Sequence, residues 1–159
     1  MIYIGSARSA KLPDDGEVSE EPFYVHKLGW LVVRARSKTQ RHSLCMCMRN
    51  ACANPLMRYS QNKREEVYKY GTNGNPKRPF YADCSSLVTQ CIREAVTSKM
   101  ANSNTTYLAH NAVLTGCFDV FDYVDGKTEL YNGDILVTKI KGHTVIVTRG
   151  AKKNTKTSK

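Results

Sequence analysis

The stretch Phe80-Tyr81-Ala82-Asp83-Cys84-Ser85-Ser86-Leu87-Val88-Thr89-Gln90-Cys91-Ile92-Arg93-Glu94-Ala95 constrains this chain more than any other. Leu87, Val88, Cys91, Ile92 and Ala95 recur at i, i+1, i+4, i+5 and i+8, which is one buried stripe of an amphipathic helix. Pro79 and the aromatic pair after it suit an extended approach, and Asp83 or Ser85 can cap the helix that follows. Cys84 is thereby set at or beside a helix N-terminus. Unpaired backbone N–H groups and the helix dipole favour an anion there, so the position predicts a thiol with a lowered pKa and a nucleophilic role. The plain alternative is a small core cysteine.

A second stretch bears on that choice. Asn132 to Thr148 reads as a β-hairpin, with Ile135-Leu136-Val137-Thr138 and Thr144-Val145-Ile146-Val147-Thr148 as two β-branched runs around a Lys141-Gly142 turn. His143 opens the second run. An imidazole at a strand start, set against a cysteine at a helix start, can take the thiol proton and return it to a leaving group.

Together, Asp83-Cys84-Ser85-Ser86-Leu87-Val88, Gly133-Asp134-Ile135-Leu136 and Gly142-His143-Thr144-Val145 resemble the nucleophile and histidine motifs of the NlpC-type cell-wall cysteine peptidases, in the same Cys-then-His order. The likeness is greatest to small modules of phage lysins and tail-associated lytic proteins. It extends to Ile4-Gly5-Ser6-Ala7-Arg8, Tyr24-Val25-His26, Gly29-Trp30, Ala51-Cys52-Ala53-Asn54 and Thr115-Gly116-Cys117-Phe118, and so covers most of the chain. The resemblance implies an α+β, papain-like fold, in which an antiparallel sheet carrying His143 packs against a helix carrying Cys84 at its N-terminus. It implies hydrolysis of an amide bond in the peptidoglycan stem peptide, without a cofactor or metal. The same dyad would also serve an N-acetylmuramoyl-L-alanine amidase, and a chain that kept the fold without the chemistry would be a basic module binding wall polymers or nucleic acid.

The resemblance also assigns roles around the dyad. Tyr59 matches an upstream tyrosine that supports the thiolate or binds substrate, with Tyr81 as the competing candidate. Asp83 and Ser85 match positions that hold the free amine of a stem peptide, a role that capping does not preclude. Gln61 is a further candidate for polar contacts in the cleft. The residue that orients the histidine commonly follows it on the next strand; here the chain offers Arg149-Gly150-Ala151 and then Asn154, so the orienter is left open among no residue, a backbone carbonyl and a residue from elsewhere.

Length and composition fit these readings. A chain of 159 residues predicts one domain, taken as 1–150, followed by a basic flexible tail at 151–159. The net charge of +10 favours polyanionic surroundings such as anionic wall polymers, with nucleic acid a weaker expectation. The six cysteines lie mostly in apolar, helical patterns and no apolar signal segment precedes them, so reduced thiols are predicted in place of disulfides. Cys45 and Cys47, two apart on a helix, point to different sides and make a poor zinc pair. No run approaches the ~18 apolar residues that span a bilayer. The expected setting is synthesis in a bacterial host cytoplasm and action at the wall, with virion association implied by the resemblance.

Elsewhere the pattern predicts a loop or arm over residues 1 to 22 with a short strand near Ile2 to Ile4, and a hairpin from Phe23-Tyr24-Val25-His26 to Trp30–Ala35. Helices are predicted over Ser37 to Asn54, Ser60 to Tyr70 and Thr105 to Leu114, the last closed by Gly116. Phe118 to Val124 is left open between a strand and a packed loop.

Overall fold

Residues 1–9 and 16–151 are described by the computed structural model. The chain opens with two strands, β1 (Tyr3–Ser9) and β2 (Gly16–Pro22), paired antiparallel from Tyr3 opposite Pro22 to Ser9 opposite Gly16. This corrects the loop expected over residues 1 to 22. The polar run Gly16-Glu17-Val18-Ser19-Glu20-Glu21-Pro22 has little strand propensity of its own. It becomes a strand because partners lie on both sides of it, which is how tertiary context overrides propensity in sheets.

The predicted hairpin at 23–35 is likewise corrected. Only β3 (Trp30–Ala35) is a strand. Residues 23–29 fold into a turn instead, in which the Gly29 N–H donates to the His26 carbonyl (2.8 Å), the Leu28 N–H to His26 Nδ1 (3.0 Å) and Trp30 Nε1 to the Tyr24 carbonyl (2.8 Å).

Helix α1 (Lys38–Ala53) starts at Ser37, whose hydroxyl accepts the Gln40 N–H, and buries Leu44, Met48 and Ala51 on the predicted stripe. Next come β4 (Met57–Tyr59) and α2 (Glu66–Tyr70), the latter much shorter than the helix predicted from Ser60. β5 (Phe80–Ala82) leads directly into α3 (Cys84–Ala95). α4 (Leu108–Leu114), β6 (Phe118–Asp122), β7 (Ile135–Thr138) and β8 (Thr144–Arg149) complete the described chain. The basic tail predicted at 151–159 lies, apart from Ala151, outside the described residues.

The architecture is α+β. Eight strands form one sheet in the order β5-β4-β2-β1-β8-β7-β3-β6. The sheet is not wholly antiparallel as expected, because β4 and β5 run parallel, with Tyr59 opposite Ala82. α1 and α3 pack on one face over Val33, Ile135, Val137 and Ile146. The other face buries Ile4, Trp30, Val32, Leu136, Val145 and Val147. Alternate residues of the β7–β8 hairpin therefore enter two different apolar layers, so its sequence reads as nearly unbroken Ile, Leu and Val. α1 lies close on β1: a Cβ at Gly5 would meet Met48 Cγ at 2.7 Å. Before β7, Gly133 adopts φ +96°, and a Cβ there would overlap the Arg41 carbonyl, so only glycine fits. Asp134, fully buried, is held by Arg34 through Nε (2.9 Å) and Nη2 (2.8 Å), which fixes the entry to the hairpin.

Candidate active site

Cys84 is the first residue of α3, and the local sequence explains why the helix begins there. Asp83 is extended (φ −101°, ψ −176°). Its Oδ1 accepts the Ser86 N–H at 2.8 Å, while the Ser86 hydroxyl accepts the Asp83 N–H at 2.9 Å. This reciprocal cap uses up orphan donors of the first turn and fixes the direction in which α3 leaves β5.

The thiol lies against β8. The backbone N–H groups of Thr144 and Ser85 are near enough to the sulfur to lower its pKa. Thr144 directly follows His143, so the fold brings the helix start carrying Cys84 to the strand start carrying His143. His143 is half-buried just ahead of β8, and its backbone is pinned on both sides by Thr138: the His143 N–H donates to Thr138 Oγ1 (3.1 Å) and the His143 carbonyl accepts the Thr138 N–H (3.0 Å). The turn between β7 and β8 is anchored across the site by the Gly142 N–H, which donates to Thr105 Oγ1 (3.2 Å).

A cavity of about 380 Å³ opens over the sulfur. Tyr59, Gln61, Asp83 and Ser85, all singled out in the sequence, line it together with Cys84, and Gly142 brings the histidine turn to its rim. The parallel pairing of β4 with β5 delivers Tyr59 to the level of Ala82, two residues before Cys84. Tyr81 is not among the lining residues; Lys63 lies over its ring at 5.1 Å.

Arg64 also lines the cavity and was not a candidate from the sequence. Its Nε donates to Asp83 Oδ2 (2.8 Å), its Nη2 to Ser85 Oγ (3.2 Å) and the Ser103 carbonyl (2.7 Å), and its Nη1 to Asn102 Oδ1 (2.8 Å). One guanidinium therefore ties the start of α3 to the 102–103 loop. A substrate ammonium approaching Asp83 would have to displace it. Nothing local in Gln61-Asn62-Lys63-Arg64 announces this, since the partners lie 19 to 39 residues away.

The electrostatics run opposite to the expected lowered thiol pKa. Burial pushes the Cys84 thiol up to about 12, and the Asp83 carboxylate adds to the rise; the Thr144 and Ser85 N–H groups and Arg64 pull it down by less. Burial also pushes the His143 imidazole down to about 4, helped by the positive charges of Arg8 and His26. At neutral pH the Cys84 thiol and the His143 imidazole are thus both uncharged, in place of the thiolate and imidazolium that a lowered thiol pKa would give.

The position left open for an orienting residue is also informative. β1 runs antiparallel to β8 with Gly5 opposite Ile146, and Ser6 Oγ donates to the Thr144 carbonyl at 2.7 Å. β1 therefore takes the place of a strand following the histidine, and it brings Arg8 toward His143. Arg8 is held by Glu21 (2.6 Å) and the Ser19 carbonyl (2.8 Å). A guanidinium cannot accept the imidazole N–H, so its influence on His143 is electrostatic. Asn154 lies outside the described residues. Tyr24, His26 and Trp30 pack ring against ring, with centroids 5.3–6.1 Å apart, and His26 is near enough to His143 to lower its pKa.

A family model described as endolysin-like domain matches residues 13–154, nearly the whole chain. The chain belongs to the endolysin-like domain family. No match was found among curated proteins or among solved structures. Membership makes this a phage endolysin-like module and gives it a cell-wall lytic role, for which peptidoglycan is the fitting substrate. Among the described residues, no helix of this endolysin-like domain is long and apolar enough to cross a membrane. The family match begins after β1, so the strand nearest His143 on its outer side lies outside the matched segment.

Proposed function

We propose that this endolysin-like domain is a thiol hydrolase that cuts an amide bond of the peptidoglycan stem peptide, with Cys84 as nucleophile and His143 as general base and acid. Residues 1–150 act as one NlpC-type domain in this reading. The observation that supports it most is the Cys84 thiol at a capped helix start, lining a cavity whose rim includes Gly142, the residue next to His143.

The raised thiol and lowered imidazole pKa values shape the mechanism. With the thiol pKa raised and the imidazole pKa lowered by burial, the proton stays on sulfur until a substrate carbonyl is in place. Attack and deprotonation then belong to one step. The S–H proton passes to the His143 imidazole as sulfur bonds to the amide carbon, and the carbonyl electron pair moves onto oxygen. The Cys84 backbone N–H, in the first turn of α3, supplies a donor for that oxyanion, since the Ser86 N–H is held by the Asp83 cap. On collapse the C–N bond breaks, and the proton from His143 goes to the departing amine. Water, deprotonated by His143, then attacks the thioester carbon and releases a carboxylic acid and the thiol. Tyr59, Gln61, Asp83 and Ser85 form the wall that receives the peptide.

A high thiol pKa together with the +10 charge also fits a non-catalytic module that binds anionic wall polymers. One digest separates the readings. Purified peptidoglycan treated with the chain and analysed by mass spectrometry is expected to yield peptides with one new amine and one new carboxyl terminus. Release of stem peptide from muramic acid would move the cut to the amidase bond. Unchanged muropeptides with retained wall binding would favour the binding module.

A further inference from the structure

A second cavity, of about 380 Å³, lies away from Cys84, between the end of α1 and the loop that carries Asn73, Gly74 and Asn75. Four of its eight lining residues are asparagines, at 50, 54, 73 and 75, and the rest are small or apolar, with Ala53, Pro55 and Leu56 on one side. The chain has 24 basic and 14 acidic residues, yet none of them lines this cavity. A ligand here meets no charge, so a polyanion drawn to the basic surface gains nothing at this place. Asn54 builds the wall. Its Oδ1 accepts the Leu56 N–H (3.0 Å), and its Nδ2 donates to the carbonyls of Thr72 (3.2 Å) and Gly74 (2.9 Å). Thr72 is buried and is held from its other side by Glu94, whose carboxylate accepts the Thr72 N–H (2.9 Å) and hydroxyl (2.7 Å). Gly74 lies so close to Tyr70 that a Cβ would meet Tyr70 Cβ at 2.7 Å. The loop is therefore set before any ligand arrives. Asn73 and Asn75 are exposed on either side of Gly74, and Asn50 is half-buried one turn before Asn54. The side-chain amides of these three make no hydrogen bond among the described residues, so three primary amides without partners line one uncharged cavity.

We infer that this cavity is a separate carbohydrate site, which binds an uncharged N-acetylated sugar of a wall polysaccharide. A primary amide offers two donor hydrogens and an acceptor oxygen, and a sugar hydroxyl likewise donates and accepts, so the two pair without any charge. Ala53, Pro55 and Leu56 give the acetamido methyl an apolar contact. The volume falls within the range of small-molecule sites, about 300–1,000 Å³. The fixed loop lowers the ordering cost of binding. Strand β4 joins this cavity to the one over Cys84: Leu56, just ahead of β4, lines the first, and Tyr59, its last residue, lines the second. Those two residues are three steps apart, about 10 Å at the usual strand rise. A sugar held here keeps a wall polymer beside the thiol. The site does not rest on the hydrolase reading, since a module without chemistry would use it in the same way.

The test titrates the full chain with tri-N-acetylchitotriose, a sugar probe that carries no peptide, and follows backbone and side-chain amides by NMR. Saturable shifts are expected at Asn50, Asn73 and Asn75 and not at Cys84 or His143. Cellotriose, which lacks the acetamido groups, should bind at least about fivefold more weakly. Replacing Asn73 and Asn75 together with Ala should weaken chitotriose binding by about tenfold, as the loss of two hydrogen bonds allows. Both residues are exposed and make no side-chain bond, so the melting temperature should hold; Asn50→Ala, on the opposite wall, tests the same site without touching the loop. Salt should have little effect, since no charge takes part. Absence of binding, equal binding of cellotriose, shifts confined to the cavity over Cys84, preference for a sugar-free stem peptide at these asparagines, or affinity that survives both sets of substitutions overturns the inference. Retention on peptide-free glycan strands or on an isolated wall polymer bearing N-acetylglucosamine upholds it and tells the two sources apart; retention on neither overturns it. Full sugar binding by a chain that cuts no wall leaves this site standing and sinks the hydrolase reading alone.

Discussion

Burial, then the Arg8 guanidinium and the cationic form of His26, oppose protonation of His143 and push its pKa down to about 4. Replacing Arg8 with Gln removes that guanidinium. The His143 pKa should then rise toward its ordinary 6.5, seen as a shift of the ring-proton titration by NMR, and the acidic limb of the kcat/KM profile should rise with it. A limb that does not move would mean that Arg8 has no part in tuning the base. The same shift bears on stability. Below pH 6.5 the unfolded chain takes up a proton at His143 that the native chain refuses until about pH 4. Stability should therefore fall as pH drops through that window, by about 1.4 kcal/mol or less per pH unit, and level off below it. In His143→Gln this part of the fall should vanish from thermal melts recorded between pH 4 and pH 7.

Asp83 does its structural work at the scale of the element. Its carboxylate caps α3 and pairs with Arg64, so Asp83→Ala should cost about 1–2 kcal/mol for the cap alone, and more for the stranded, mostly buried guanidinium. Asp83→Asn keeps an acceptor for the Ser86 N–H and should recover the cap but not the ion pair. Urea midpoints of the two variants check the difference, and equal midpoints would assign the whole effect to charge. The same element shows what was legible in the sequence. The stripe of α3, a cap at Asp83 or Ser85 and the two β-branched runs of the hairpin are local patterns that the sequence shows. Arg64 is not among them, because its role depends on residues brought in from α3 and the 102–103 loop. The helix predicted from Ser60 fails for a related reason. The Ser60 hydroxyl accepts the Lys63 N–H (3.1 Å), and this competes with helical pairing in the turn that carries Arg64 to Asp83. The helix end alone predicts a lowered thiol pKa, whereas burial decides the direction.

In the whole molecule the decisive piece is β1, which lies mid-sheet between β2 and β8 although it precedes the family match. A sequence pattern cannot show that the first strand of the chain will close against the last. A chain beginning at residue 13 would expose the unpaired edge of β8 and lose the buried Ile4 and Ala7. It should lose cooperative unfolding and wall lysis together, as read by circular dichroism melts and a turbidity assay; full lysis by the shortened chain would show that β1 is dispensable to the site. The central claim is that sulfur and imidazole, joined by this sheet, perform acyl transfer. Its most direct test is rapid acid quench of the chain during turnover of peptidoglycan fragments, followed by mass spectrometry of the intact protein and its peptides. The account predicts a thioester adduct carrying the acyl half of the substrate on Cys84, absent from Cys84→Ala, which no longer cleaves. Cleavage that persists in Cys84→Ala, or an adduct on another residue, would contradict it.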